Sequence, residues 1–245
     1  VKVLIEAGGD VNQAKPDDGR TPLLVSCQNG HLEVVQFLLQ QPKIDVNKDA
    51  QGWSPLALAK NGNHNEIVQL LKDAGATYTI KEAVAANDIN YIQQWITNDK
   101  EKNINEINIS LNQASYNGNI DIVKLFLNLK DININYSNTD VDGTTALFIA
   151  CQKNHHTIVE LLLQQPNIDV NIPCKEGDTP LIIASYLGNY ECVQQLLQQS
   201  TIDKTLMCKN KTALQWSQPN ARADGWKFLE SDINTKGRQK ILQLF

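Results

Sequence analysis

The 245-residue sequence lacks any apolar run close to the roughly 18 residues that a membrane-spanning helix needs. Its apolar stretches are short, such as Leu161–Leu163. Charge is modest too, since 20 % of the residues are charged, the net charge is −5 and no basic stripe occurs. These features exclude a membrane helix and argue against nucleic acid or an anionic membrane surface as the partner.

Cysteine and histidine are scarce and scattered. The five cysteines show no C-x-x-C spacing, so we predict reduced thiols in a reducing, cytoplasmic compartment, with Cys27 and Cys151 as small packing residues. His31, His64 and His155 occupy the same turn between the two helices in different repeats, which places them too far from one another for a single metal ion. Nucleotide-binding loops and Ser/His/Asp spacings do not occur. We therefore expect no metal, no cofactor and no catalysis in this segment.

The sequence contains a long internal repeat. The segment 19–47, GRTPLLVSCQNGHLEVVQFLLQQPKIDVN, returns at 143–171 as GTTALFIACQKNHHTIVELLLQQPNIDVN. The step between equivalent apolar helix positions from Val68 to Ile92 is 24 residues, which marks one irregular repeat. The other steps are close to about 33 residues, and the full series is Val1, Val35, Val68, Ile92, Val123, Val159, Val193 and Trp226.

Each repeat has the same internal order. A Gly turn precedes Thr-Pro-Leu or a variant of it, and a Ser or Thr before Pro predicts the start of a helix. A second helix carries a Val-x-x-Leu-Leu stripe, which Pro42 and Pro166 end, and Asp-Val-Asn closes the repeat. The first helix is expected to end at a residue suited to the left-handed conformation, which is Gly30, Asn63, Asn87, Gly118, Asn154 or Gly188.

This order resembles the ankyrin repeat, in which a β-turn finger precedes two antiparallel helices over about 33 residues. The resemblance covers nearly the whole chain and implies an all-α repeat solenoid of about seven repeats after a partial N-terminal one. The family often has His directly after Thr-Pro-Leu, where it hydrogen-bonds to the neighbouring repeat. In this sequence we expect apolar packing to contribute more to the contacts between neighbouring repeats, because the position after Thr-Pro-Leu holds Leu24, Ala57, Phe148, Ile182 and Gln215.

Three segments are predicted along the chain. Residues 1–77 hold N-terminal repeats, residues 78–141 hold degenerate repeats without the finger motif, and residues 142–245 hold C-terminal repeats with a capping helix. In the degenerate segment, Ile107–Leu111 stands where a finger is expected. Two interpretations stay open: a continuous stack with drifted sequence, or a junction between two sub-stacks with Lys81–Ile96 as a cap-like helix pair.

The charged run Asp99–Lys102 is predicted to be a solvated loop. At the end of the chain, Trp226–Leu229 is predicted to hold the last stripe and Lys236–Leu242 to form an additional capping helix with a polar outer face. Val1 falls inside a second helix, so we interpret the first repeat as partial and the chain as a fragment of a longer protein.

Stacked repeats create a long curved surface rather than a closed pocket. In the ankyrin family the concave face, made of finger tips and first helices, binds other proteins, so the resemblance implies an interaction scaffold or adaptor. Trp53, Tyr116 and Tyr186 are the aromatic candidates for dominant contacts. The register places on that face Arg20, Gln28, Trp53, Asn61, Tyr116, Thr144, Gln152, Lys153, Asp178, Tyr186 and Leu187.

The expected partner is another protein, with no nucleic acid and no membrane, and the chain is expected to be a monomer. One alternative is a regulatory or targeting segment of a larger enzyme, channel or secreted effector. Another is a substrate role, because Asp-Val-Asn asparagines with Leu eight residues earlier resemble targets of asparagine hydroxylases. The residues concerned are Asn12, Asn47 and Asn171, which alternatively serve only to hydrogen-bond the finger turn.

Overall fold

A computed structural model describes residues 2–98, 104–138, 142–221 and 233–245. The chain divides into two compact units, a first unit of residues 1–95 and a second unit of residues 96–245. The boundary lies inside the segment 78–141 that we predicted to be degenerate. The charged run Asp99–Lys102 and the stripe Trp226–Leu229 lie outside the described residues.

Helices of the first unit pack in two layers. The inner helix α2 packs against α4, and the outer helix α3 packs against α5. Here an inner helix is the first helix of a repeat and an outer helix is the second. The helices are α1 (Lys2–Glu6), α2 (Pro22–Gln28), α3 (Leu32–Leu39), α4 (Pro55–Asn61), α5 (Asn65–Asp73), α6 (Ile80–Ala85) and α7 (Ile89–Asn98).

The second unit likewise contains two helix layers of its own. Its inner helices pack in the order α8, α10, α12, α14, and its outer helices pack in the order α9, α11, α13, α15. One finger forms a two-stranded antiparallel hairpin, so the unit is mostly rather than purely helical. The elements are α8 (Ile104–Asn117), α9 (Ile120–Leu127), α10 (Ala146–Gln152), α11 (His156–Leu163), α12 (Pro180–Leu187), α13 (Tyr190–Leu197), β1 (Met207–Cys208), β2 (Lys211–Thr212), α14 (Ala213–Trp216) and α15 (Thr235–Ile241).

The predicted helix starts and ends are confirmed. Thr21 and Ser54 precede α2 and α4, and each hydroxyl accepts a hydrogen bond from the backbone N–H three residues later, with Pro in the first turn. Thr145 and Thr179 cap α10 and α12 in the same way. A left-handed residue follows the inner helices as predicted, with positive φ at Gly30, Asn63, Asn87, Gly118, Asn154 and Gly188.

The core lies between the two helix layers of each unit. Outer-helix stripes bury Val35, Leu38, Val159 and Leu162 completely. Cys27 and Cys151 are also fully buried, as predicted, and burial raises the pKa of the Cys27 thiol to about 12. Apolar packing after Thr-Pro-Leu is confirmed at four of the five predicted positions, namely Leu24, Ala57, Phe148 and Ile182, whereas Gln215 is exposed.

The degenerate repeats differ from the expectation in their local structure. Ile107–Leu111 is helical, because α8 begins at Ile104 and runs through the place expected for a finger. Polar side chains at the position after Thr-Pro-Leu link neighbouring repeats here. Glu82 accepts a hydrogen bond from the Ser54 backbone N–H at 2.6 Å, and the Asn112 side chain donates to the Thr144 carbonyl at 3.1 Å.

A helix is present where the capping helix Lys236–Leu242 was predicted. This helix, α15, packs against the inner helix α12 and the outer helix α13. Asn234, the residue that caps α15, donates its backbone N–H to the Leu187 carbonyl at 2.7 Å. The polar outer face is present, since Lys236, Gln239 and Lys240 are exposed.

Candidate partner-binding surface

Tyr116 is the most exposed aromatic residue predicted to face a partner. It lies near the C-terminal end of α8, and 50 % of its surface is accessible. The Nζ of Lys153, at the end of α10 in the next repeat, lies 4.1 Å from the centroid of the tyrosine ring. This arrangement leaves an aromatic ring and a cation together at the surface of the inner layer.

The backbone beneath Tyr116 is held by the next repeat. His155 Nε2 lies 3.2 Å from the Tyr116 carbonyl, and since a carbonyl only accepts, the ring N–H donates. His64 makes the equivalent contact to the Gln28 carbonyl in the first unit, also at 3.2 Å. Both histidines are therefore structural, which agrees with their repeated position in the sequence.

Tyr186 and Leu187 are not on the surface, which corrects the expected exposure of both residues. Only 5 % of Tyr186 and 3 % of Leu187 is accessible. The Tyr186 ring meets Trp216 edge-on at 5.6 Å, and the Arg238 guanidinium lies 4.6 Å from its centroid. Tyr186 shares the register of Tyr116, but α14 and α15 pack over it.

Asp178 is buried as well, although the register placed it at a finger tip. It is 4 % accessible, and its Oδ1 has no hydrogen-bond partner among the described residues. Cys174 Sγ lies 4.0 Å from Asp178 Oδ2, while the Cys208 thiol donates to the Glu176 carbonyl at 3.2 Å. Burial raises the pKa of Asp178 above its usual range.

The remaining predicted residues of the second unit lie at the edge of the inner layer. Lys153 is exposed, and Gln152 and Thr144 are partly buried. The Thr144 carbonyl accepts the hydrogen bond from Asn112, so its backbone is fixed by the preceding repeat. The structure therefore brings Tyr116, Gln152 and Lys153 to adjoining inner helices of one unit.

In the first unit, two of the predicted residues bind each other. Arg20 Nη1 donates to Gln28 Oε1 at 2.6 Å, which joins the finger to the end of α2. Trp53 is half-buried and exchanges two backbone hydrogen bonds with Ala50, each 3.1 Å long. Asn61 is exposed at the end of α4.

Sequence reasoning missed a buried polar cluster in the first unit. The Tyr78 hydroxyl donates to Asp88, Lys60 Nζ lies 3.4 Å from the same carboxylate, and Tyr91 stacks on Tyr78 with ring centroids 4.3 Å apart. Burial alone would raise the pKa of Asp88, but the hydrogen bonds from Tyr78 and the Tyr91 N–H, together with the Lys60 charge, hold it below its ordinary value. The sequence contained one indication of a helix start in this repeat. It is the pattern Thr79-x-x-Glu82, which forms a capping box at the start of α6.

The two buried aspartates are expected to respond oppositely to replacement by asparagine. At about pH 7, Asp88→Asn lowers the free energy of unfolding and Asp178→Asn raises it, because folding favours the charged form of Asp88 and disfavours that of Asp178. The Asp88 contribution is full above the unfolded-state pKa and is lost as the pH falls through the lower, folded-state pKa. The Asp178 penalty is absent below its unfolded-state pKa and grows as the pH rises towards its higher, folded-state pKa.

Urea unfolding of both variants and the wild type, at about pH 7 and about pH 3, measures these differences, and both should shrink at the lower pH. If Asp88→Asn and Asp178→Asn changed the free energy of unfolding in the same direction at about pH 7, the described effects of folding on the two pKa values would be contradicted.

The Asp-Val-Asn asparagines link successive repeats within each unit. Asn12 Nδ2 donates to the Lys43 carbonyl at 2.7 Å, and its Oδ1 accepts from the Asp45 N–H at 2.9 Å. Asn171 makes the equivalent pair with Thr201 and Asp203. Asn47 accepts from the Thr77 N–H at 2.8 Å. These contacts give the asparagines a structural role, while the proposed hydroxylation stays a hypothesis.

Within residues 2–98, 104–138, 142–221 and 233–245, no group of three His, Cys, Asp or Glu side chains is arranged to hold a metal ion. In the same part of the chain, the helices are too short or too polar to cross a bilayer.

Comparison with known proteins shows repeats of one kind along the chain. The family model described as ankyrin repeats (3 copies) matches residues 1–82, 80–174, 111–208 and 166–237. Rabankyrin-5 of Mus musculus is 30 % identical over 164 residues, which cover 66 % of this chain and 12 % of that protein. The 26S proteasome non-ATPase regulatory subunit 10 of Dictyostelium discoideum is 39 % identical over 77 residues, 31 % of this chain and 33 % of the subunit.

A probable 26S proteasome regulatory subunit p28 of Saccharomyces cerevisiae is 31 % identical over 153 residues, or 61 % of this chain and 57 % of that subunit. The chain thus spans 12 %, 33 % and 57 % of these three relatives. Similarity is therefore established over the repeats and not over the whole length of any of the three proteins.

Proposed function

Because this chain belongs to the ankyrin repeat family, we propose that it is a protein-interaction module that binds a partner protein through its inner helices and finger tips. Ankyrin repeats are generally protein-interaction modules, and stacked repeats offer an extended surface instead of an enclosed pocket. We place no catalytic step in this segment.

The observation that carries the proposal is the exposure of Tyr116. Half of the Tyr116 surface is open to solvent on the inner layer, although its register equivalent Tyr186 is buried by later helices. Tyrosine buries a large area on binding at low entropic cost, which is why it is enriched among dominant contacts. Gln152, the last residue of α10, and Lys153, which follows it, add polar groups at its margin.

The test compares two tyrosines that each lie beneath a lysine. Tyr116→Ala is expected to weaken partner binding by at least about 1 kcal/mol. Tyr190→Ala is the matched control, because Tyr190 begins the outer helix α13 and Lys240 Nζ lies 5.6 Å from its ring. The partner is captured from native lysate by the wild-type chain, identified, and titrated against both variants. Equal affinity of Tyr116→Ala and wild type, with loss in Tyr190→Ala, would reject this surface.

A second candidate function is a regulatory or targeting segment of a larger enzyme, channel or secreted effector. The observation in its favour is that the matched repeats make up 12 % of Rabankyrin-5, so such repeats occur within much larger proteins. The full-length reading frame separates the candidates. A catalytic or membrane domain in the same frame favours the regulatory segment, and further repeats alone favour the adaptor.

A further inference from the structure

Two neighbouring inner helices of the second unit carry side chains at matching positions around Tyr116. The positions are counted back from the left-handed residues Gly118 and Asn154, which follow α8 and α10. The equivalent residues of α12 are buried, so the exposed surface ends at α10. We call it the α8–α10 surface, and its members, all at least partly exposed, are Gln113, Tyr116 and Asn117 at the end of α8 and Ile149, Gln152 and Lys153 at the end of α10.

Hydrogen-bond donors outnumber acceptors on the α8–α10 surface. Gln113 Nε2 donates to Asn117 Oδ1 at 2.9 Å, so the side-chain NH2 of Asn117 is still available to donate. The Tyr116 carbonyl already accepts from His155. Lys153 takes part in none of the ion pairs formed among the described residues, and its ammonium group has three N–H donors and no acceptor. A complementary segment therefore supplies carbonyl groups and few N–H groups.

The distance between the two helices matches the repeat of a polyproline II segment. Helix α8 packs directly on α10, and packed helices lie about 8–10 Å apart. In polyproline II, residues i and i+3 lie on the same side about 9 Å apart, because each residue rises about 3.1 Å. Side chains on one face of a β-strand repeat after only about 6.6–6.8 Å. The polyproline II main chain also makes no internal hydrogen bonds, and proline has no N–H, so its carbonyls are free to accept.

We propose that the α8–α10 surface binds a proline-rich segment of a partner protein in the polyproline II conformation. One proline packs on Tyr116, an apolar residue three positions along packs on Ile149, and Asn117 donates to a main-chain carbonyl between them. Lys153 supplies a further donor beside the tyrosine ring. Such segments are already extended before they bind, so an exposed aromatic ring with donors at its margin is sufficient to hold them. This inference rests on the proposed function and adds the chemistry of the partner.

The equivalent positions of the first unit do not have these properties. Gln28 stands in the place of Tyr116, and its Oε1 accepts from Arg20 Nη1 at 2.6 Å. Asn29 stands in the place of Asn117, but its Nδ2 donates to the Val25 carbonyl at 2.8 Å within the same helix. We therefore expect proline-rich segments to bind the second unit and not the first, which makes Asn29 a matched control position.

A phage library of random 12-residue peptides tests the inference, and the selection works while the partner protein is still unidentified. Clones are selected on the wild-type chain and sorted by loss of binding to Tyr116→Ala. We expect the Tyr116-dependent clones to be enriched in proline, with a second proline or apolar residue three positions away. Tyr116-dependent clones without this enrichment would overturn the inference and leave the proposed function standing. A complete lack of Tyr116-dependent clones would overturn both.

A selected peptide is then titrated against two isosteric variants. Asn117→Asp keeps the acceptor for Gln113 but replaces the NH2 donor by a carboxylate oxygen, so binding should weaken about tenfold or more. Asn29→Asp at the equivalent position of the first unit should change the affinity less than about twofold, because substitutions away from a contact have small effects. Equal effects of the two variants would overturn the inference. So would equal affinity of a scrambled peptide of the same composition, in which the three-residue spacing is lost.

Discussion

Replacing Arg238 by methionine is expected to lower the free energy of unfolding of the second unit by about 3–5 kcal/mol, because buried carbonyl groups lose their charged donor. Arg238 is 1 % accessible and donates to the carbonyls of Tyr186, Gln218 and Ala221. Tyr186 lies in the last turn of α12, and Gln218 follows the end of α14. The guanidinium therefore joins the negative ends of two inner helices to α15.

Hydrogen exchange of the α12 and α15 amides, measured as a function of urea, reports this loss locally. Lys236→Met on the same helix is the control, because Lys236 is exposed and such substitutions change stability by about 0.5 kcal/mol or less. Arg238→Lys keeps the charge but not the branched donor geometry, so its effect should be intermediate. A loss below about 1 kcal/mol for Arg238→Met would contradict the described role.

The second large effect is expected at Gly188, where the chain turns from α12 to α13 beneath α15. A Cβ atom at this residue would lie 2.0 Å from the Asn234 carbonyl oxygen, which is backbone and cannot rotate away. Gly188→Ala therefore combines the left-handed strain of about 1–2 kcal/mol with overpacking of about 1–3 kcal/mol. We expect a total loss of about 2–5 kcal/mol and weaker protection of the α15 amides.

Gly75→Ala separates the two contributions. Gly75 has the same φ of +79° as Gly188, but a Cβ there would meet nothing within 4 Å. This variant should lose only the strain of about 1–2 kcal/mol. If urea unfolding gave equal losses for the two variants, the close approach of α15 to Gly188 would not contribute to stability.

Local features of the fold could be predicted from the sequence because their causes lie within a few residues. Thr179 before Pro180 starts α12, and Gly188 ends it, through contacts that one repeat contains. The Val-x-x-Leu-Leu stripe likewise predicted that Val159 and Leu162 would be buried. Such signals recur in every regular repeat, so each confirms the register of the others.

The exposure of the candidate site could not be predicted in the same way. Tyr116 and Tyr186 occupy equivalent register positions, yet one is exposed and the other buried. The difference comes from Trp216 and Arg238, which both contact the Tyr186 ring, and no repeat pattern encodes the Arg238 contact, which joins residues 52 positions apart. The hydrogen bond that Glu82 accepts from the Ser54 N–H was not predicted for a related reason, since it joins residues 28 positions apart.

Site-specific photo-crosslinking tests most directly whether the inner-helix face binds the partner. The photoreactive residue p-benzoylphenylalanine replaces Tyr116 on α8 in one variant and Tyr190 on α13 in another, and each is irradiated in native lysate. Both substitutions keep an aromatic ring, and the two variants differ in the helix layer that carries the probe. The account predicts a crosslinked partner from position 116 and none from position 190. Crosslinking from position 190 alone would contradict it.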